Sequence, residues 1–81
     1  MIACHQYDYV EIACMYKFPI LLTLKSGVNL EGVAHDTKIN DKNEECLILT
    51  TENEDKVIVL NDIAKMEVQI ENPHFKLINF E

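Results

Sequence analysis

No arginine and no tryptophan occur among the 81 residues, and glycine and proline appear only twice each. So few Gly and Pro exclude collagen-like and low-complexity chains. Without arginine the chain has no side chain that both grips phosphate and stacks on bases, so lysine alone would have to hold a nucleic acid. Seven lysines face fourteen Asp and Glu, for a net charge of −7. A domain this acidic is a poor nucleic-acid binder and is steered toward a basic partner, although acidity for solubility alone is the commoner case. Long apolar runs are missing as well. The longest, Phe18 to Leu22, is far short of the ~20 residues of a membrane span. Cysteine is present three times (Cys4, Cys14, Cys46), an odd number with no CxxC. That argues against a disulfide framework and for free thiols in a reducing cytosol. No basic region followed by an apolar stretch opens the chain, so the expected location is cytoplasmic.

What is there is a globular composition, 48% hydrophobic and 26% charged, of a size that allows one domain over residues 1–81. Roughly 60–65% of the unfolded surface can be buried at this length, so any helix must supply core that a few short strands lack.

The periodicity predicts a helix over about residues 7–16. At 100° per residue, Tyr9, Val10, Ile12, Ala13, Cys14 and Tyr16 share one broad face, and Asp8, Glu11 and Met15 lie within ~60° of one another on the other. Pro19 closes the helix. From there the period is two. Strands are predicted at Ile20–Lys25, Val28–Lys38, Cys46–Thr51, Lys56–Leu60, Ile63–Ile70 and Phe75–Phe80, separated by turn signals at Ser26-Gly27, Asn40 to Asn43, Glu52 to Asp55, Asn61-Asp62 and Asn72-Pro73. Gly32, inside the second strand, predicts a bend, a bulge or close backbone approach. The expected fold is mainly β: a small barrel of five to six antiparallel strands with one N-terminal helix.

Two resemblances follow. Ile-Leu-Leu-Thr-Leu-Lys-Ser-Gly-Val-Asn-Leu-Glu-Gly-Val, from Ile20 to Val33, resembles the first motif of Sm-like proteins, and Val57 to Val68, with its Asn61-Asp62 turn, is similar to the second. The loop in which Sm proteins carry a basic residue and a Gly for RNA is Leu60-Asn61-Asp62-Ile63 here, with no Arg and an acid in place of the Gly. The N-terminal pattern Ile2-x-Cys4-x-x-Tyr7-Asp8-x-x-Glu11-x-Ala13-Cys14 resembles the opening of the Rof-type Rho-binding antiterminator family, and Leu22-x-Leu24-Lys25-x-Gly27, Ile63 and the Pro73-His74 turn fit it. That resemblance implies an Sm-like barrel with an N-terminal helix, and a partner, the hexameric termination factor Rho. It also implies docking near the primary RNA-binding site of Rho's N-terminal domain, hindered RNA loading and antitermination. Acids of the N-terminal segment contribute to docking in that family. Where the family carries two acids before the tyrosine, this chain has His5-Gln6, so the acidic face rests on Asp8 and Glu11.

The expected partner-binding residues are therefore Tyr7, Asp8, Glu11 and Met15, with Asp36, Asp41, Glu44 and Glu45 as a secondary acidic surface. Each has a plainer reading. Asp8-x-x-Glu11 at a helix start is a capping-box pattern. Tyr7 is as well placed to pack on the strands, with Tyr9 and Tyr16 on the packed helix face and their hydroxyls near solvent. The loop acids are solvated turns. Cys4, His5 and Cys14 fit no common zinc spacing, Cys46 reads as core, and His74 is expected at the surface. His35 and Asp36 would point to opposite faces of a strand, which disfavours a catalytic pair. With no phosphate-cradling Gly loop, nucleophile elbow or H-E-x-x-H, no catalytic residue, metal or cofactor is expected. The reading is a binding module that is a monomer when free. Its rivals are an Sm-like RNA-binding module, which would form a ring and bind RNA, and an enzyme using His35 or the thiols.

Overall fold

The computed structural model describes residues 4–80. Helix α1 (Cys4–Met15) is followed by six strands: β1 (Pro19–Leu24), β2 (Asn29–Ile39), β3 (Glu45–Thr50), β4 (Asp55–Val59), β5 (Ile63–Val68) and β6 (Leu77–Asn79), with one turn of 3-10 helix at Leu60–Asp62 between β4 and β5. All pairings are antiparallel. Each strand lies where alternation and turn residues predict it, its ends within one or two residues, with Ile63–Ile70 stopping at Val68 and Phe75–Phe80 shortening to Leu77–Asn79.

Two expectations are corrected. The helix starts at Cys4 and stops at Met15, rather than running over 7–16, so Asp8 sits in its middle and caps nothing. The strands form one sheet of order β4-β3-β2-β1-β5-β6, and among the described residues no pairing between β4 and β6 closes it into a barrel. Bulges after Thr23 in β1 and between Ala34 and Asp36 in β2 break the register locally, and bulges increase bend and twist.

The core lies between α1 and one face of the sheet. Val10, Ala13 and Cys14 of the helix join Phe18, Ile20, Leu22, Ala34, Leu47, Leu49, Leu60, Ile63, Met66 and Val68. Phe75, Ile78 and Phe80 pack against the same cluster, so the short last strand earns its place by side-chain burial. Gly32 meets the close approach expected of it: a Cβ there would lie 2.5 Å from the Thr50 carbonyl oxygen and 2.9 Å from Leu49 Cγ. Cys46 is fully buried, as its reading as a core residue expects. Among the described residues no helix is long and apolar enough to cross a membrane.

The helix ends in a Schellman turn. The Phe18 N–H donates to the Ala13 carbonyl at 2.9 Å and the Lys17 N–H to the Cys14 carbonyl at 3.2 Å. Lys17 takes the left-handed conformation, φ 52°, that glycine usually fills at this position. The turn reverses the chain tightly enough for Phe18 to bury its ring and for Pro19 to open β1.

Candidate functional site

The outward face of α1 is the first surface to consider. His5, Asp8, Glu11 and Met15 are exposed, and their spacing of three and four residues sets them in one row along the helix. Among the described residues no hydrogen bond or ion pair engages the Asp8 or Glu11 carboxylate. The capping box is thereby set aside, since the first turn of the helix holds no acid. Met15 is 70% exposed, an apolar side chain at the end of an acidic row. Tyr7 is half-buried and packs against the core. Gln6 also turns inward, donating from Nε2 to the Asn79 carbonyl at 3.2 Å. Of the two residues that stand in place of acids, His5 thus faces solvent and Gln6 ties α1 to β6.

On one flank of this row is a cleft of about 290 Å³ lined by Glu11, Cys14, Met15, Lys17, His35, Asp36 and Thr37. The β2 bulge lies beside it: Ala34 pairs with Leu49 and Asp36 with Ile48, and His35 between them is skipped in the register. His35 and Asp36 both border this cleft, beside the register shift in β2. Asp36 Oδ1 accepts the Thr37 N–H at 2.8 Å. Lys17 reaches into the cleft and donates from Nζ to the His35 carbonyl at 2.5 Å. Cys14 forms the floor. Its thiol is pushed from the ordinary 9.0 up to about 11, first by burial, then by the negative charge of Asp36 and, more weakly, Glu11, with Lys17 opposing them. A thiol this hard to ionise is a poor nucleophile at neutral pH.

The other flank is aromatic. Tyr16, 52% exposed rather than packed away, stacks on Phe18 (ring centroids 5.5 Å apart, 19°) and on His74 (4.8 Å, 24°). Tyr9 meets Phe75 edge-on at 5.0 Å. His74 is at the surface as expected, held there because Asn72 Oδ1 accepts the N–H groups of His74 and Phe75.

The structure thus gathers Asp8, Glu11, Met15 and Asp36 around the last turns of α1. It leaves Asp41, Glu44 and Glu45 at the turn end of the β2–β3 hairpin, where Glu45 pairs with Ile39, three residues and about 10 Å of strand from Asp36. Glu44 is engaged within that turn, its Oε1 accepting from Asn40 Nδ2 at 3.0 Å. Lys17 and Thr37 had no signal in the sequence, because their place in the cleft depends on a Schellman turn and a bulge that no local pattern announces. Among the described residues no group of three or more His, Cys, Asp or Glu is arranged to hold a metal ion.

Residues 1–80 match the family model described as "Modulator of Rho-dependent transcription termination (ROF)". The chain is similar to the protein named "Protein rof" in Escherichia coli strain K12 and in Shigella flexneri. It is 34% identical to each over 63 residues, which are 78% of this chain and 74% of each relative. Among solved structures it is similar to one described as YaeO bound to magnesium from Vibrio cholerae O395. The TM-score is 0.88 at 42% identity, over 94% of this chain and 99% of that one. On this evidence the chain belongs to the family of modulators of Rho-dependent transcription termination.

Proposed function

We propose that the chain acts on Rho by direct, non-enzymatic binding: the outer face of α1 docks on the N-terminal domain of Rho and hinders RNA from loading at its primary site. A site that accepts RNA offers positive charge and stacking surfaces. An acidic domain competes for that field without imitating a base. The observation that carries the reading is the exposed row Asp8, Glu11 and Met15, whose carboxylates have no partner among the described residues and are open to an external one. Asp36 extends the row across the cleft. Tyr7, half-buried beneath it, holds the helix in place and adds apolar contact at the edge. Asp41, Glu44 and Glu45 add long-range field from the hairpin tip. The sheet and its N-terminal helix are in keeping with an Sm-like domain that has given up RNA binding, working in the cytoplasm as a monomer.

The test is a competition titration of fluorescent pyrimidine-rich RNA on Rho at two salt concentrations, alongside the protein with RNA alone. The expected result is displacement of RNA from Rho, weaker at high salt, with no direct RNA binding. Direct RNA binding that leaves Rho untouched would replace this reading with that of an RNA-binding module.

A further inference from the structure

The cleft between α1 and the β2 bulge has a composition that a solvated groove does not need. We propose that it is a socket for one arginine side chain of a basic protein partner. The inference rests on the docking reading above and names the contact at its centre. Glu11 on the helix and Asp36 on the strand line the same space, and the negative charge of both is felt at the Cys14 thiol on its floor. The cleft already contains a cation, Lys17, whose ammonium donates to the His35 carbonyl and, among the described residues, forms an ion pair with neither acid. Asp36 keeps one carboxylate oxygen uncommitted, the other accepting from the Thr37 N–H, and Glu11 keeps both. Two carboxylates and one lysine leave the space net negative.

The shape narrows the class. A planar guanidinium has donors on two edges and can meet acids on opposite walls, whereas an ammonium is a point charge. The aliphatic stem of an arginine needs an apolar rim, which Met15 supplies, 70% exposed at the mouth. About 290 Å³ accommodates one such side chain and is too small for a helix or strand.

Two measurements test this separately from docking as a whole. The first uses the free protein and N-acetyl-arginine amide, followed by NMR. The expected result is saturable shifts at the His35 to Thr37 amides and the Met15 methyl, weaker with N-acetyl-lysine amide and lost in the Glu11→Gln/Asp36→Asn double variant. Shifts spread over all the surface acids, or equal for the two amides, would overturn the socket. The second measures affinity for Rho. Asp36→Asn and Glu11→Gln should each weaken binding about tenfold, and the double variant by clearly less than the product, because both acids share one guanidinium. If Asp36→Asn binds Rho as the parent does while Asp8→Asn weakens it, the socket falls and the docking face stands. If the parent does not bind Rho at all, the docking reading falls, and the arginine amide titration alone decides the socket. Unchanged amide dispersion in each variant shows that the fold survives.

Discussion

Gly27 and Gly32 stand five residues apart and answer opposite needs. Gly27 has φ +95° with nothing within 4 Å of where a Cβ would go, so Gly27→Ala brings only the conformational cost, about 1–2 kcal/mol. Gly32 has an ordinary backbone, but its missing Cβ is filled by the Thr50 carbonyl and Leu49. Gly32→Ala must push β3 away and should cost about 3 kcal/mol or more, a large share of the ~4–12 kcal/mol expected for a domain of this length. Urea midpoints of the two variants check the order: a modest drop for Gly27→Ala and a near-collapse for Gly32→Ala. Equal drops would mean that β3 yields easily at Thr50. Cys14 carries a pH prediction. Its folded pKa, about 11, lies above the ordinary 9.0, so between these values the native state holds a proton that the unfolded state has released. Stability from this group is fully present below pH 9 and declines as pH rises toward 11. Thermal melts of the parent and Cys14→Ala from pH 8 to 10.5 should show the parent losing more stability over that range. Both glycines and the free thiol were readable in the sequence, since each depends on its own residue type. The strained backbone of Lys17 was not, because nothing in Tyr16-Lys17-Phe18 marks a left-handed residue.

At the scale of elements, the start of α1 decides what Asp8 can do. Residues 4 to 7 hold neither a capping side chain nor a first-turn acid, so the sequence pointed to the first Asp-x-x-Glu as the cap. The helix instead gains its first turn from packing, with Tyr7 against the core and Gln6 bonded to Asn79. Asp8 in a helix interior is at best neutral for stability. Asp8→Ala should therefore leave the melting temperature within about 3 °C of the parent, where a lost cap of ~1 kcal/mol would lower it by about 4–8 °C. Calorimetry on the isolated protein distinguishes the two, and the same variant should still weaken binding to Rho. The strands were legible because period-two alternation ends at Gly, Asn and Pro, and each is flanked by such a stop. Closure of the sheet was not, since it depends on which edges meet. Nor was the place of the β2 bulge, between Ala34 and Asp36 rather than at Gly32, beside the cleft that His35 and Asp36 both line.

At the scale of the molecule, a net charge of −7 without arginine acts at a distance that no single contact covers. Charge over the whole surface speeds the encounter with a basic partner and is screened over about 8–10 Å at physiological salt, whereas a carboxylate in the interface acts mainly after contact. The two contributions separate kinetically. Glu52 and Glu54 lie exposed in the β3–β4 turn and line no part of the cleft. The Glu54 carboxylate makes a loose 3.6 Å pairing with Lys56. Glu52→Gln/Glu54→Gln should lower the association rate with Rho about two- to threefold at low salt, leave the dissociation rate unchanged, and lose its effect by ~0.5 M salt. Asp8→Asn/Glu11→Gln removes the same two charges, so it should share that slowing of association and also speed dissociation about tenfold, an increase that salt does not abolish. Stopped-flow or surface-based kinetics at two ionic strengths give all four rates. If both pairs change only association, the acids of α1 merely attract the partner and the docking face lies elsewhere. If the α1 pair alone speeds dissociation, the helix is in the interface and the remaining acids serve to bring it there.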